Sequence, residues 1–376
     1  MQPLNGVTVI DFSTLLPGPL ASLILAEAGA EVVKVERPGT GDTMRDLGTP
    51  HGSSSVEFAM LNRGKRSVAI DLKAPDSRQQ LAPLFRKADV LIEQFRPGVM
   101  DRLGLGYEEL HGINSRLVYC SLTGYGQSGP KATVAGHDLN YMAESGLLNL
   151  GADGAGAPVV PPALIADIGG GAYPLVINVL LALRRREETG EGCHLDISMS
   201  DNLFPFAYWA LGMLEATERS PRPGGELLTG GSPRYQLYQT ADEKYLAAAP
   251  LEQRFWENFC DAIGLEAALR RDDRDPQATL AAVAAIIKTR TASAWTDTFE
   301  GIDACVCLVA DVAAAMRDPQ FAGRGLFEHR VGDEDSSLTA APVPLAPVFR
   351  STPATRGFPA LGEANDTYIE GQGESH

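Results

Sequence analysis

The sequence predicts an α/β protein: a large domain built on a doubly wound parallel sheet, followed by a small α+β domain. Three observations carry this. Short apolar runs rich in β-branched residues alternate with helical segments through the first 200 or so of 376 residues, which is the signature of parallel pairing. The pattern changes after Tyr235 to one strand followed by several helices. The length exceeds what a single core usually serves, so two domains are expected.

Taken in order, Gly6–Phe12 reads as a buried strand. Pro17-Gly18-Pro19 forms a turn in which Pro19 opens a helix over Leu20–Ala28, closed by Gly29. Glu31–Glu36 and Ser67–Asp71 are the next strands, then a helix over Ser77–Lys87, then strands at Val90–Glu93 and Leu117–Leu122. The loop from Gly124 precedes an apolar helix, Ala172–Arg186, whose last turn carries Arg184, Arg185 and Arg186 as the helix dipole favours. His194–Met199 is a further strand and Asp201–Gly212 a further helix. Residues 218–231, rich in Gly, Pro and charge, read as the linker out of the first domain. The expected boundaries are therefore 1–220, 221–325 and a proline-rich extended tail, 326–376, running back over the first domain. In the small domain a strand is expected at Lys244–Ala248, with helices from Leu251, Gln277 and Ala294.

A formal charge of −16 argues against nucleic acid or an anionic membrane as partner. The five cysteines form no paired framework and fit a reducing compartment. No signal peptide and no membrane-spanning apolar stretch is expected, so the protein reads as cytoplasmic. Gly124-Tyr-Gly126-Gln-Ser-Gly129 formally matches a dinucleotide fingerprint. Pro130-Lys131-Ala-Thr continues it as loop rather than helix, which rejects a nicotinamide or flavin cofactor.

Against the acidic background, Lys34, Arg37, Arg45, Arg63, Lys65, Arg66 and Arg96 gather near strand ends. They read either as a phosphate site or as a solvated charged face. His137, in a Gly-His-Asp loop, is either a structural histidine or a general base. Asp167, just before the apolar helix, is an ordinary N-cap candidate that the helix dipole would hold ionised. Glu252 heads a predicted helix in the small domain. On residue type alone, each of these three reads first as structural.

Several motifs shift that weighting. Pro17-Gly18-Pro19, Gly29-Ala-Glu-Val-Val-Lys-Val-Glu-Arg-Pro-Gly39, Asn62-Arg-Gly-Lys-Arg-Ser67, Arg96-Pro-Gly98 and Gly124-Tyr-Gly-Gln-Ser-Gly-Pro130 together resemble the class III (family III) coenzyme A transferases over nearly the whole chain. The resemblance implies a Rossmann-like large domain, an interlocked homodimer, and an active site shared between the large domain of one subunit and the small domain of the other. It implies that Arg37, Lys65 and Arg96 contact the adenine or phosphates of coenzyme A, with Gly136, Asp138 and Tyr141 also lining the ligand. Gly136-His137-Asp138, Gly230-Gly231-Ser-Pro-Arg-Tyr235 and Leu251-Glu252-Gln253-Arg254-Phe255 resemble the α-methylacyl-CoA racemase branch, whereas Cys307-Leu308 departs from it.

The implied chemistry is epimerisation of a 2-methylacyl-CoA without metal or organic cofactor, coenzyme A entering as part of the substrate. His137 and Asp167 exchange the α-proton, Glu252 orients His137, backbone N–H groups around Asp138 meet the enolate, and glycines 169–171 let the acyl chain pass. The alternative is coenzyme A transfer to a free carboxylate, with Asp167 as nucleophile.

Overall fold

A computed structural model describes residues 2–332 and 336–369. It divides into two compact units. The first contains residues 2–145 and 162–205 together with the described residues from Pro319 onward; the second contains 146–161 and 206–318.

Unit 1 is built on a six-stranded, all-parallel sheet. Its strands are β1 (Thr8–Asp11), β2 (Glu31–Glu36), β3 (Arg66–Ala69), β4 (Val90–Glu93), β5 (Val118–Thr123) and β6 (Cys193–Ser198). They lie in the order 3-2-1-4-5-6. The order reverses between β1 and β4, and such a switch point leaves a crevice beyond the strand ends. The central strands are mostly apolar because helices cover both faces; Val9, Ile10, Val32, Val33, Val90, Leu91 and Ile92 are fully buried.

Helix α1 (Pro17–Glu27) starts three residues earlier than expected, with Pro17 rather than Pro19 at its first position. Its start is cramped: a Cβ on Gly18 would stand 2.2 Å from that of Ser13. Helix α2 (Ser77–Lys87) lies where the sequence placed it.

The apolar helix begins as a π-helical segment, Ala166–Ala172, which runs into α3 (Tyr173–Thr189). Gly170 and Gly171 are buried, and a Cβ on Gly170 would sit 2.4 Å from the Met199 carbonyl oxygen. These two glycines therefore serve internal packing, not passage of an acyl chain. By length and composition Ala166–Thr189 would suffice to cross a membrane, which corrects the expectation that no stretch does.

The C-terminal segment lies in unit 1 and is not merely extended. It forms a small sheet of β10 (Arg330–Gly332), β11 (Ser337–Thr339) and β12 (Thr355–Arg356). It also ties to the large sheet through Ala364 N–H to the Ser67 carbonyl (2.9 Å). This return starts at Pro319 rather than 326.

Unit 2 holds an antiparallel sheet of β7 (Gln236–Gln239), β8 (Tyr245–Ala248) and β9 (Val306–Leu308). Its helices are α4 (Tyr208–Thr217), α5 (Gln253–Ile263), α6 (Pro276–Ile287) and α7 (Ala292–Phe299). Trp256, Phe259, Ile287 and Trp295 fill its core. The boundary between units falls at Pro205/Phe206, not at 220. Residues 218–231 are a built turn inside unit 2, where Gly231 N–H reaches the Glu226 carbonyl and Gly224 N–H that of Leu150 (both 3.0 Å).

The basic cluster is mostly interior. Lys34 meets Asp42 at 2.9 Å, Arg45 meets Glu36 at 2.6 Å, Arg63 meets Glu27 at 2.8 Å and Lys65 meets Asp11 at 3.2 Å. The Lys65 ammonium also donates to the Pro19 carbonyl, Ser22 Oγ and Asn62 Oδ1. With its side chain fully buried and each hydrogen accounted for, Lys65 is a structural cation and not a ligand contact. Burial pushes it down to about 8, against the pull of Asp11. Removing one partner of a buried ion pair leaves an uncompensated charge, so Lys65→Met should lose about 3 kcal/mol in urea denaturation. A loss under roughly 0.5 kcal/mol, the range of an exposed pair, would show that the side chain is solvated.

Candidate active site

A cavity of ≈ 380 Å³ opens in unit 1 beyond the ends of β1, β4 and β5. Leu15 and Pro17 form one wall, Gln94–Pro97 a second, Leu122–Gly124 the floor, and Gly136, His137, Asn140, Tyr141 and Asp167 the remaining side. It thus sits at the topological switch point, where a doubly wound sheet binds its ligands. Leu15 holds φ +64, a left-handed conformation rare for leucine, and its N–H donates to Asp42 Oδ1 at 3.3 Å.

His137 is the N-cap of a short helix, Asp138–Glu144, rather than part of a loop. Its N–H donates to Asn140 Oδ1 at 3.0 Å, and its carbonyl accepts from the Asn140 and Tyr141 N–H groups. The backbone is thereby fixed while the exposed residue lines the cavity. Tyr141 donates to the Gly136 carbonyl at 2.5 Å. Its ring packs so tightly on Gly124 and Gly136 that a Cβ at either would lie 2.4 or 2.7 Å from it. Both glycines are required by that approach. Burial, with Asp167 nearby, pushes the Tyr141 hydroxyl up to about 12, so it remains a donor.

Asp167 lies in the first turn of the π-helical segment. Its carboxyl is pushed up to about 6, first by burial and then by the Asp138 carboxylate, with His137 pulling the other way. This corrects the expectation that the helix dipole would keep it firmly ionised: desolvation and a like charge outweigh a terminal dipole worth 0.3–1 kcal/mol or so. Asp138 itself is buried, and its Oδ1 accepts the Asp167 N–H at 2.9 Å. It positions Asp167.

Arg96 is exposed on the cavity wall, as a phosphate contact requires. Arg37 is exposed at the end of β2 and does not line the cavity. Lys65 is withdrawn from the site for the reasons above. Glu252 belongs to unit 2, where it is the N-cap of α5, with its carbonyl accepting the Trp256 N–H at 3.0 Å. Its side chain is exposed, and its charge helps raise the thiol pKa of Cys305. Among the described residues no group of three His, Cys, Asp or Glu side chains could hold a metal ion. The loop from Gly124 opens no helix; Gly126 and Gly129 take positive φ, and Gln127 N–H is held by Asp196 on β6.

Fold and cavity together define an α/β enzyme whose site pairs an imidazole with a protonatable carboxyl at a switch point. Residues 4–365 match the model of CoA-transferase family III, and the chain belongs to that family. It is 34% identical to human "Alpha-methylacyl-CoA racemase" over 98% of this chain and 92% of that one. It is 36% identical to "Acetyl-CoA:oxalate CoA-transferase" of Acetobacter aceti over 86% and 85% of the two chains. A crystal structure of a CAIB/BAIF family protein from Brucella suis superposes with a TM-score of 0.82 at 28% identity, covering 97% of this chain and 98% of that one. Racemases and transferases are similarly close.

Asp138→Asn keeps an acceptor for the Asp167 N–H but removes the like charge. The Asp167 midpoint should then fall from about 6 toward the ordinary carboxylate value of ~4 without reaching it, because burial remains. Carboxyl-carbon NMR titration measures this. An unmoved midpoint would assign the whole shift to burial.

Proposed function

We propose that the protein interconverts the (2R) and (2S) forms of 2-methylacyl-CoA thioesters by 1,1-proton transfer at the α-carbon through an enolate. The observation that carries this reading is that His137 and Asp167 line one cavity, where burial and Asp138 push the Asp167 carboxyl up to about 6. Imidazole and carboxyl are both groups that serve in general acid–base catalysis. One removes the α-proton, which the thioester acidifies, and the other returns a proton to the opposite face of the enolate. Arg96, on the wall, is suited to a coenzyme A phosphate, so binding energy is drawn from atoms remote from the reacting carbon. No metal or organic cofactor takes part in this scheme, and the working compartment is the cytoplasm.

The reading extends to a homodimer whose subunits complete each other's sites, Glu252 orienting His137. Its support is the family membership together with apolar surface: α3 exposes Tyr173, Ile177, Leu180 and Leu181, and α4 exposes Tyr208, Leu211 and Leu214. Faces of this kind on a single chain mark association surfaces.

Transfer of coenzyme A between an acyl-CoA and a free carboxylic acid is the second reading. It is favoured by the close similarity to the acetic-acid bacterial transferase and by Asp167 itself, which at pH 7 is mostly ionised and able to attack a thioester.

Incubating a 2-methylacyl-CoA with the enzyme in deuterated water, without acceptor acid, should add one deuteron at the α-carbon and erode optical purity. His137→Ala should reduce exchange by about 10²-fold or more, the usual worth of a general acid–base group. No exchange, with a new thioester formed once a free acid is supplied, would establish the transferase instead. Mixing impaired His137→Ala and Glu252→Gln subunits should raise activity above that of either variant, to as much as a quarter of wild type, because a random mixture yields heterodimers carrying one intact site. Size-exclusion light scattering giving a monomer, or no complementation in a mixed dimer, would overturn the shared site.

A further inference from the structure

Beneath the cavity wall lies a buried carboxyl that the chemistry above does not use. Glu93 ends β4 and is 4% exposed. Its Oε2 accepts the Phe95 N–H at 2.8 Å. It also shares a hydrogen bond with the hydroxyl of Ser121, its partner across β4 and β5. On its far side Ser121 Oγ meets His194 Nε2 of β6 at 2.9 Å. Stacking of Tyr107 on the His194 ring at 5.3 Å sets that ring's place.

The residues immediately after Glu93, Gln94 to Pro97, form the wall that carries Arg96, and those immediately after Ser121 form the floor. The carboxyl is thus anchored one residue away from the lining segments of two strands.

This arrangement can accommodate a proton on Glu93 without stranding a polar group. When the carboxyl is ionised, Ser121 donates to it and accepts from an N–H of His194. When it is protonated, Ser121 accepts from it and donates to an unprotonated His194 nitrogen. A hydroxyl serves both ways, and imidazole supplies either tautomer. The charged and titratable groups around Glu93 are Asp101 on the short helix Val99–Arg102, Asp196 and His194 on β6, and Tyr119 and Cys120 on β5. None is a cation at neutral pH: burial keeps the His194 pKa below its usual value, and Tyr119 and Cys120 are raised. Burial, with Asp101 and Asp196, accordingly pushes Glu93 up to about 7.

We propose that Glu93 is a positioning residue of the ligand wall, anchoring Phe95–Pro97 and taking up a proton when a polyanionic coenzyme A thioester settles beside Arg96. The inference rests on the reading that this cavity takes coenzyme A. An added polyanion disfavours the ionised carboxyl, so the bound state has the higher Glu93 pKa. Affinity is then greatest below the free-state value of about 7 and falls as pH rises through it. By linkage, tighter binding of the ligand and of the proton are one coupling.

Titration calorimetry of free coenzyme A into the full-length protein, from pH 6 to 8.5 in buffers of different ionisation enthalpy, tests this. Wild type should take up more of a proton on binding than Glu93→Gln. Its affinity should fall on the order of 3- to 10-fold more across the range, the effect of a pKa difference of half to one unit. Glu93→Gln, which still accepts the Phe95 N–H, should bind as wild type does at low pH. Ser121→Ala removes a bond that lowers the Glu93 pKa and should move the midpoint to higher pH. A merely structural carboxyl would shift neither proton uptake nor midpoint. Identical pH dependence in wild type and a folded Glu93→Gln overturns this inference alone. Absence of coenzyme A binding by wild type at every pH overturns the reading of the cavity as well.

Discussion

The buried Asp11 carboxylate is the constraint on which the ligand side of unit 1 depends. It ends β1, next to the strand-order reversal, and both its oxygens are engaged: Ser13 N–H on one, Ser22 Oγ and the Lys65 ammonium on the other. Burial opposes its ionisation, but Lys65, Lys34 and the two serines outweigh burial and hold it far below the usual carboxylate range. A charge so deep needs its partners in fixed places. Lys34 reaches the Ser13 carbonyl and Asp42, and Asp42 in turn holds the left-handed Leu15. Three sequence-distant segments are thereby locked beside the crevice that Leu15 and Pro17 line. The cluster gives geometry more than net stability, since a buried ion pair seldom outperforms apolar packing.

That cluster also shows what a sequence can and cannot convey. Val90–Glu93 and Glu31–Glu36 were legible residue for residue, because a strand covered on both faces is dominated by apolar, β-branched residues and these runs are bounded sharply. The alternation of strands and helices conveyed parallel pairing, hence a crevice at the strand ends, hence the neighbourhood of His137, Asp167 and Arg96. Lys34, Arg45, Arg63 and Lys65 were misread in aggregate as a surface. Each has a carboxylate partner at a remove of eight to 54 positions, and nothing local distinguishes a buried lysine from a solvated one. The clue available was that Lys34 lies inside an apolar run, Val32-Val33-Lys34-Val35, where a solvated side chain has no way out.

The helix opening at Asp138 escaped notice because its cap is His137 rather than Ser, Thr, Asp or Asn, and its reciprocal partner is Asn140 rather than Glu or Gln. Residues 218–231 misled in the opposite sense. Glycine and proline there build a compact turn held by Glu226 and Thr229, not a linker. The role of Asp138 was likewise hidden, since its contact with the Asp167 N–H spans 29 positions.

Asp167 brings the structure's opposing demands together. Its neighbourhood is poorly suited to a charge: the site is half-buried, and the fixed Asp138 carboxylate raises its pKa further. Relative to an ordinary unfolded carboxylate near ~4, the raised pKa makes the native state favour the protonated form. The resulting stabilisation is full below that unfolded value and is lost as pH rises through about 6. At neutral pH the fold therefore tolerates an ionised Asp167 at a cost, held in place by the bond its own N–H donates to Asp138 Oδ1, the same carboxylate that makes ionisation costly. A carboxyl kept merely for helix capping gains nothing from such a neighbour. A carboxyl that must alternate between holding and releasing a proton gains a pKa close to the working pH. The same local arrangement in which Asp138 destabilises the charge and orients its bearer is thus intelligible as preparation for proton transfer, and far less so as a structural cap.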